Sequence, residues 1–89
     1  MIDRIRDAMF HRSPIIVKDG AGKERVVHPY CFIKGKEGTL LHCYQVGGYS
    51  SSPQPTGWRN LRGDGLEVEI VPNQVFDIRP DFKMPKEVH

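Results

Sequence analysis

Short apolar runs separated by turn-forming residues give this chain the pattern of a small β protein that begins with a helix. Ile2, Ile5 and Met9 recur at helical spacing near the start, with charged residues between them. Five later stretches are rich in β-branched or alternating apolar residues. They predict strands at residues 14–18, 25–33, 39–46, 58–62 and 66–71.

These elements predict a mainly β fold, a small SH3/Sm-like five-stranded barrel with a short N-terminal α-helix across one opening. Pro14 marks the latest end of the helix, because a residue before proline avoids the helical conformation. A chain of 89 residues fits one domain. We expect this domain to span 1–76, followed by an irregular C-terminal tail at 77–89 in which Phe82 docks back on the barrel.

The longest predicted loop is 47–57, which reads GGYSSSPQPTG and has no apolar periodicity. Loops of this length are uncommon in compact domains and often carry function. The alternative is a disordered surface insertion, and the sequence leaves both interpretations open.

Composition and charge favour a reduced, cytoplasmic binding protein. The 13 Lys and Arg residues nearly balance the 11 Asp and Glu residues. This balance is too even for a protein that coats nucleic acid without specificity, but it is compatible with a local basic patch. No run approaches the roughly 18 apolar residues that a membrane span requires. We therefore expect no membrane association. Two cysteines are too few for a disulfide scaffold, so we expect both to be free thiols.

Metal binding and catalysis have little support in the spacing of the reactive side chains. The candidate ligands are His28, Cys31, His42 and Cys43. Alternation along a strand sends His28 and Cys31 to opposite faces, and likewise His42 and Cys43, so no tetrahedral set follows. A Cys31–His42 pair across two strands depends on a register that the sequence leaves open. We therefore expect no metal, no cofactor and no enzymatic activity.

The stretch around the only tryptophan is the best candidate for binding. Trp58 offers a flat face for stacking a base or a cation. Arg59 and Arg62 follow it closely, and guanidinium groups suit phosphate and carboxylate. The alternative is structural, with Trp58 plugging a barrel end and both arginines solvated.

Four segments together resemble the WYL-type domain, a small Sm/SH3-like barrel of bacterial transcription regulators. They are the Ile-x-x-Ala pattern within Ile5 to Phe10, the run Gly22-Lys23-Glu24-Arg25-Val26-Val27-His28-Pro29-Tyr30, residues Thr39 to Tyr44, and Arg59-Asn60-Leu61-Arg62-Gly63-Asp64-Gly65-Leu66. The resemblance covers roughly residues 2 to 72. It departs from the family where Thr39-Leu40-Leu41 replaces the Trp-Tyr-Leu triplet, and where Gly63 and Gly65 replace a leucine and an arginine. The stretch Cys43-Tyr44-Gln45-Val46-Gly47-Gly48 and the long loop leading to Gly57-Trp58-Arg59 are similar to those of a stand-alone, single-domain branch.

The resemblance implies a non-enzymatic, ligand-sensing module whose basic groove binds a nucleotide or single-stranded nucleic acid. Carried over by position, the binding residues are Arg25, Tyr44, Arg59 and Arg62, to which Trp58 is added from its own chemistry. The alternative function is protein–protein interaction or self-association, as a homo-oligomer or with another protein, through barrel edge strands.

We further predict that the three arginines converge on one groove lined by Tyr44 and Trp58. Clustered arginines repel one another, so an anion must compensate their charge. The compensating group is either an external ligand or an internal carboxylate, for which the candidates are Asp64, Glu67 and Glu69.

Overall fold

The computed structural model describes residues 2–36, 38–50, 53–62 and 65–86. Within these ranges the chain forms one helix and five strands. They are α1 (Ile2–His11), β1 (Ile15–Lys18), β2 (Glu24–Gly35), β3 (Gly38–Gly48), β4 (Gly57–Arg62) and β5 (Glu67–Ile70). The mainly β class, the leading helix and the positions of the strands are therefore confirmed, with strand ends within two residues of those predicted.

All neighbouring strands pair antiparallel, in the order β4-β3-β2-β1-β5. In the described part of the chain, β4 and β5 are the two ends of the sheet and do not pair with each other. Because the sheet is not closed by hydrogen bonds, closure into a barrel stays a prediction.

Two irregularities in the β2–β3 ladder bend the sheet. Tyr30 is an extra residue between the pairs Pro29–Cys43 and Cys31–His42, beside a proline that has no N–H to donate to a ladder. Val46 is an extra residue on β3, between the pairs formed by Gln45 and Gly47. Both bulges re-aim neighbouring side chains, and both lie next to the sites described below.

The main core lies between α1 and one face of the sheet. Ile5 and Ala8 of α1 are buried, and the helix packs against β2 and β5. The strands contribute the remaining buried apolar residues of this cluster, which are Ile15, Val17, Val27, Phe32, Leu41 and Cys43, together with Leu66 before β5. Burial of this stripe accounts for the stability of a helix only ten residues long, which would be marginal alone.

The helix ends at His11 because Arg12 adopts a left-handed conformation with φ of 54°. The N–H of Ser13 then donates to the carbonyl of Ala8 at 2.8 Å, which closes the helix end. Among the described residues, no helix has the length and apolar character needed to cross a membrane.

Residues 71–86 form neither helix nor strand and run back over the sheet. The N–H of Val71 donates to the carbonyl of Pro14, and the N–H of Phe76 donates to that of Arg12. Phe82 lies against Tyr30, with ring centroids 4.7 Å apart. Residues 77–86 are thus irregular and Phe82 docks on the sheet, while residues 87–89 of the predicted tail lie outside the described residues.

Candidate functional site

The sheet separates the five predicted binding residues into two groups. Tyr44 and Trp58 are cross-strand neighbours on the face opposite the main core. Arg59 pairs with the core residue Cys43 and therefore points to the other side from Trp58. Arg25 pairs with Val17, which also faces the core. The structure therefore does not bring the five residues into one groove, because adjacent strand positions face opposite ways.

Two of the three arginines meet at a cleft of about 260 Å³ on the core side of the sheet. We call it the basic cleft; it is lined by Val17, Asp19, Gly20, Lys23, Arg25, Leu61, Arg62, Gly65 and Leu66. Its walls are the β1–β2 turn, the end of β4 and the segment before β5. The apolar side chains belong to the edge of the core, and the cations stand around them.

The turn between β1 and β2 fixes one wall of the basic cleft. Asp19 Oδ1 accepts hydrogen bonds from the backbone N–H groups of Ala21 (2.9 Å) and Lys23 (3.0 Å). Gly22 follows with φ of 83°, a conformation that favours glycine. The Asp19 carboxylate is thus used to hold the turn, which places Lys23 beside Arg25.

Arg25 is held by two neighbours. Its Nη1 donates to Oε1 of Gln45 at 3.0 Å. Its guanidinium also lies 5.5 Å from the ring centroid of Tyr49, and Lys23 Nζ lies 4.2 Å from that same ring. Tyr49 therefore stands beside two cations of the cleft through cation–π contacts.

Arg59 serves the long loop instead of the cleft. Its Nη2 donates to the carbonyl of Gln54 at 2.7 Å and to Ser50 Oγ at 3.3 Å. The described part of the loop is thus attached to β4, while Ser51 and Ser52 lie outside the described residues. Through Ser50 and Gln54 the loop is therefore tied to the sheet.

Two of the three candidate internal carboxylates lie away from the basic cleft. Glu67 and Glu69 line a separate depression with Lys18 and Glu24. Asp64 lies outside the described residues. Within the described ranges, neither Lys23 nor Arg25 has a carboxylate at ion-pair distance.

The opposite side of the sheet carries a cluster of rings that we call the aromatic face. It consists of His28, Tyr30, His42, Tyr44 and Trp58. Trp58 is stacked on His42, with centroids 5.0 Å apart and an angle of 2° between the planes. Its edge contacts involve Tyr30 and Tyr44. The predicted stacking residue is therefore packed within the protein.

The C-terminal segment covers this aromatic face. Phe76 stacks on His28 at 4.4 Å, and the guanidinium of Arg79 lies 3.9 Å from the ring centroid of Tyr44. Trp58 Nε1 donates to Asp81 Oδ2 at 3.1 Å, while Arg79 Nε donates to Asp81 Oδ1 at 2.9 Å. The hydrogen bond from Trp58, followed by that from Arg79, lowers the pKa of Asp81. This interaction is consistent with a structural role for Trp58.

Both cysteines are buried free thiols, as predicted. Burial raises the pKa of Cys43 to about 12, although the charges of Arg25 and Arg59 oppose the increase. Burial also raises the pKa of Cys31. His42 Nδ1 is within 2.7 Å of Asn60 Oδ1, so this imidazole is engaged by β4. Across the described ranges, no group of three or more His, Cys, Asp and Glu side chains has an arrangement that could hold a metal ion.

Sequence reasoning missed three residues near the basic cleft: Lys23, Gln45 and Tyr49. Gln45 carried a usable signal, because it is a polar residue two positions beyond Cys43 in the alternation of β3 and therefore falls on the core face. Lys23 and Tyr49 are brought to Arg25 only by the turn and the bulge.

No protein-family model, curated protein sequence or solved structure matches this chain. The resemblance to WYL-type domains therefore rests on the sequence motifs alone.

Proposed function

We propose that this domain is a non-enzymatic, ligand-sensing module whose basic cleft binds an anion of the nucleotide class. The observation that carries the proposal is the cleft itself, where Lys23, Arg25 and Arg62 stand around an apolar floor. The one carboxylate among its lining residues, Asp19, accepts hydrogen bonds from the backbone of the β1–β2 turn. Guanidinium and ammonium groups bind phosphate oxygens, and an apolar floor accepts a sugar or base.

The charge of the cleft supports an external anion. Lys23 and Arg25 lie beside the same ring, that of Tyr49, and within the described residues they have no carboxylate partner. Bringing two cations together is unfavourable unless an anion offsets their repulsion. Tyr49 offsets part of it through the electron density of its ring, which is a weaker interaction than a charge-assisted hydrogen bond to phosphate.

A binding role agrees with the chemistry of the nearest reactive group. Cys43 lies near Arg25 and Arg59, but burial holds its thiol protonated at neutral pH. A protonated thiol is a poor nucleophile. The cleft therefore offers groups that hold an anion, and its nearest thiol does not act on one.

The proposed fold and family are consistent with this role. The strand order and leading helix are compatible with an SH3/Sm-like barrel, and the four sequence segments resemble the WYL-type domain. We propose by that resemblance a cytoplasmic, bacterial regulatory protein whose ligand influences transcription. Of the binding residues implied by the family, Arg25 and Arg62 belong to the cleft, and Tyr44, Trp58 and Arg59 do not.

The proposal is tested by measuring the binding of ATP and of a single-stranded oligothymidylate by titration calorimetry. Replacing Arg25 or Arg62 by alanine should weaken binding roughly tenfold or more, since a hydrogen bond to a charged group contributes about 1.5–3 kcal/mol. Binding should also weaken as salt rises. Arg4→Ala is the matched control, because Arg4 is exposed on α1 and distant in sequence from the cleft residues. Equal effects of Arg4→Ala and Arg25→Ala would refute a specific cleft.

A second candidate is interaction through the open edges of the sheet. In the described sheet β4 and β5 each pair on one side only, so each leaves backbone groups available to another strand. Light scattering over a concentration series tests it. Self-association that persists in high salt, with no binding of ATP or oligonucleotide, would favour this function over the first.

A further inference from the structure

Gln45 is a buried polar residue within a mainly apolar face of the sheet. Its exposed fraction is 0%, while its neighbours along that face, Leu41 and Cys43, are apolar and equally buried. Burying an amide is unfavourable unless its hydrogen bonds are satisfied, so its presence requires an explanation.

The side chain of Gln45 joins Arg25 to the start of the long loop. Oε1 accepts from Arg25 Nη1 at 3.0 Å. Nε2 donates to the carbonyl of Gly47 at 3.0 Å and to the carbonyl of Tyr49 at 2.7 Å. The amide orientation is set by these partners, because a flipped amide would place N–H groups against the guanidinium and oxygen against two carbonyls.

The backbone around Gln45 is shaped to make these contacts. The bulge at Val46 turns Gly47 and Gly48 towards β2. Gly48 has φ of 88°, and a Cβ there would lie 2.5 Å from the carbonyl oxygen of Glu24. The N–H of Tyr49 donates to that same carbonyl at 2.7 Å. Two close contacts therefore bring Tyr49 to the cations of the cleft.

We infer that Gln45 is a positioning residue for the basic cleft, which fixes the guanidinium of Arg25 and, through the carbonyl of Tyr49, the ring beside it. The inference rests on the proposed function and deepens it. Gln45 does not touch the ligand. It acts through Arg25, whose remaining N–H groups are then directed to an anion, and through the loop that ends at β4.

Glutamine suits this position better than its closest relatives. Methionine has a similar volume but neither donates nor accepts these hydrogen bonds. Glutamate keeps the acceptor for Arg25, yet its carboxylate faces the carbonyls of Gly47 and Tyr49 and neutralises the charge that would bind the ligand. A neutral amide therefore fixes Arg25 without cancelling its charge.

The test compares ATP binding by wild-type protein, Gln45→Met, Gln45→Glu and Arg25→Ala, with Gln74→Met as the control. Gln74 is exposed in the C-terminal segment, so its substitution makes the same chemical change away from the cleft. Each Kd is measured at a temperature where the emission of Trp58 shows that the variant is folded. Gln45→Met should weaken ATP binding roughly tenfold and reduce its salt dependence. This is the effect expected when Arg25 is no longer held in place and loses its charge-assisted hydrogen bond to a phosphate of ATP.

The variant Gln45→Glu adds a measurement that would not respond if Gln45 only stabilised the fold. The ratio of its Kd to that of the wild type should rise with pH, because ionisation of the introduced carboxyl group neutralises Arg25. In Gln45→Met and Gln74→Met this ratio should be independent of pH.

A ligand-free measurement tests the link to the loop. Chymotrypsin cleaves after Tyr49, whose carbonyl is held by Gln45. Cleavage at this bond should accelerate several-fold in Gln45→Met and stay unchanged in Gln74→Met.

The possible outcomes separate the inference from the proposed function. If Arg25→Ala weakens ATP binding while Gln45→Met leaves the Kd, its salt dependence and the cleavage rate unchanged, the inference is overturned and the function stands. If Arg25→Ala leaves ATP binding unchanged, the proposed function is overturned, and the inference with it.

Discussion

Replacing Phe82 by alanine is expected to release residues 77–86 from the aromatic face, while Phe76 keeps the preceding residues in place through its stacking on His28. The Phe82 ring lies 4.7 Å from that of Tyr30, 5.9 Å from Trp58 and 6.2 Å from His42. Among the described residues of 77–86, Phe82 is the only aromatic side chain that reaches this face. Arg79 and Asp81 are held by polar contacts at the surface, and surface ion pairs contribute little.

The magnitude follows from the burial of the ring. A Phe→Ala substitution costs about 3–5 kcal/mol at a fully buried position. Phe82 is only partly buried. Each aromatic pair that its ring forms with a neighbour adds about 0.5–1.5 kcal/mol beyond the effect of burial. We therefore expect a loss of roughly 2–3 kcal/mol in the free energy of docking the segment. A smaller loss is expected in the free energy of global unfolding, since the main core lies on the other face.

Trp58 reports this change directly, because it is the only tryptophan and its indole donates to Asp81. In Phe82→Ala its emission should shift to longer wavelength under native conditions, and proteolysis should become faster within 77–86. Met84→Ala is the control, because the side chain of Met84 is 63% exposed. An unshifted emission spectrum together with a free energy of unfolding within about 0.5 kcal/mol of wild type would refute the reasoning.

Three further predictions follow from individual residues. Gly48→Ala should destabilise the protein by about 2 kcal/mol or more in urea denaturation, because φ is 88° and the new Cβ would meet the Glu24 carbonyl, whereas Gly20→Ala has open space and should change stability little. Burial raises the pKa of Cys43 to about 12. The contribution of this protonated thiol to the free energy of unfolding is therefore complete below its ordinary pKa of 9.0 and is lost as pH rises towards 12. Alkylation of Cys43 near neutral pH should require denaturant. Burial, followed by the charge of Arg79, lowers the pKa of His28 below 6.5. The contribution of the neutral imidazole to stability is therefore present above pH 6.5 and is lost as pH falls through the lower pKa of the folded protein. An imidazole of His28 that titrates at or above 6.5 by NMR would contradict this.

Local periodicity was sufficient for the elements of the fold. The spacing of Ile5 and Met9 predicts the helix, and alternation in 66–71 predicts the last strand, because each pattern depends only on residues close in sequence. The turn at Asp19 and Gly20 is equally local. The docking of Phe82 was also predicted, since the removal of an apolar ring from water is favourable even in an irregular segment.

Only the tertiary structure decided which residues meet. Alternation places Trp58 and Arg59 on opposite faces, but it does not tell which face receives the helix and which the C-terminal segment. That assignment depends on pairings across the sheet and on the two bulges, whose partners are distant in sequence. It separated Tyr44 and Trp58 from the basic cleft, and it buried Gln45 where its amide reaches Arg25. Long-range packing, and not the local pattern, therefore determined the candidate site.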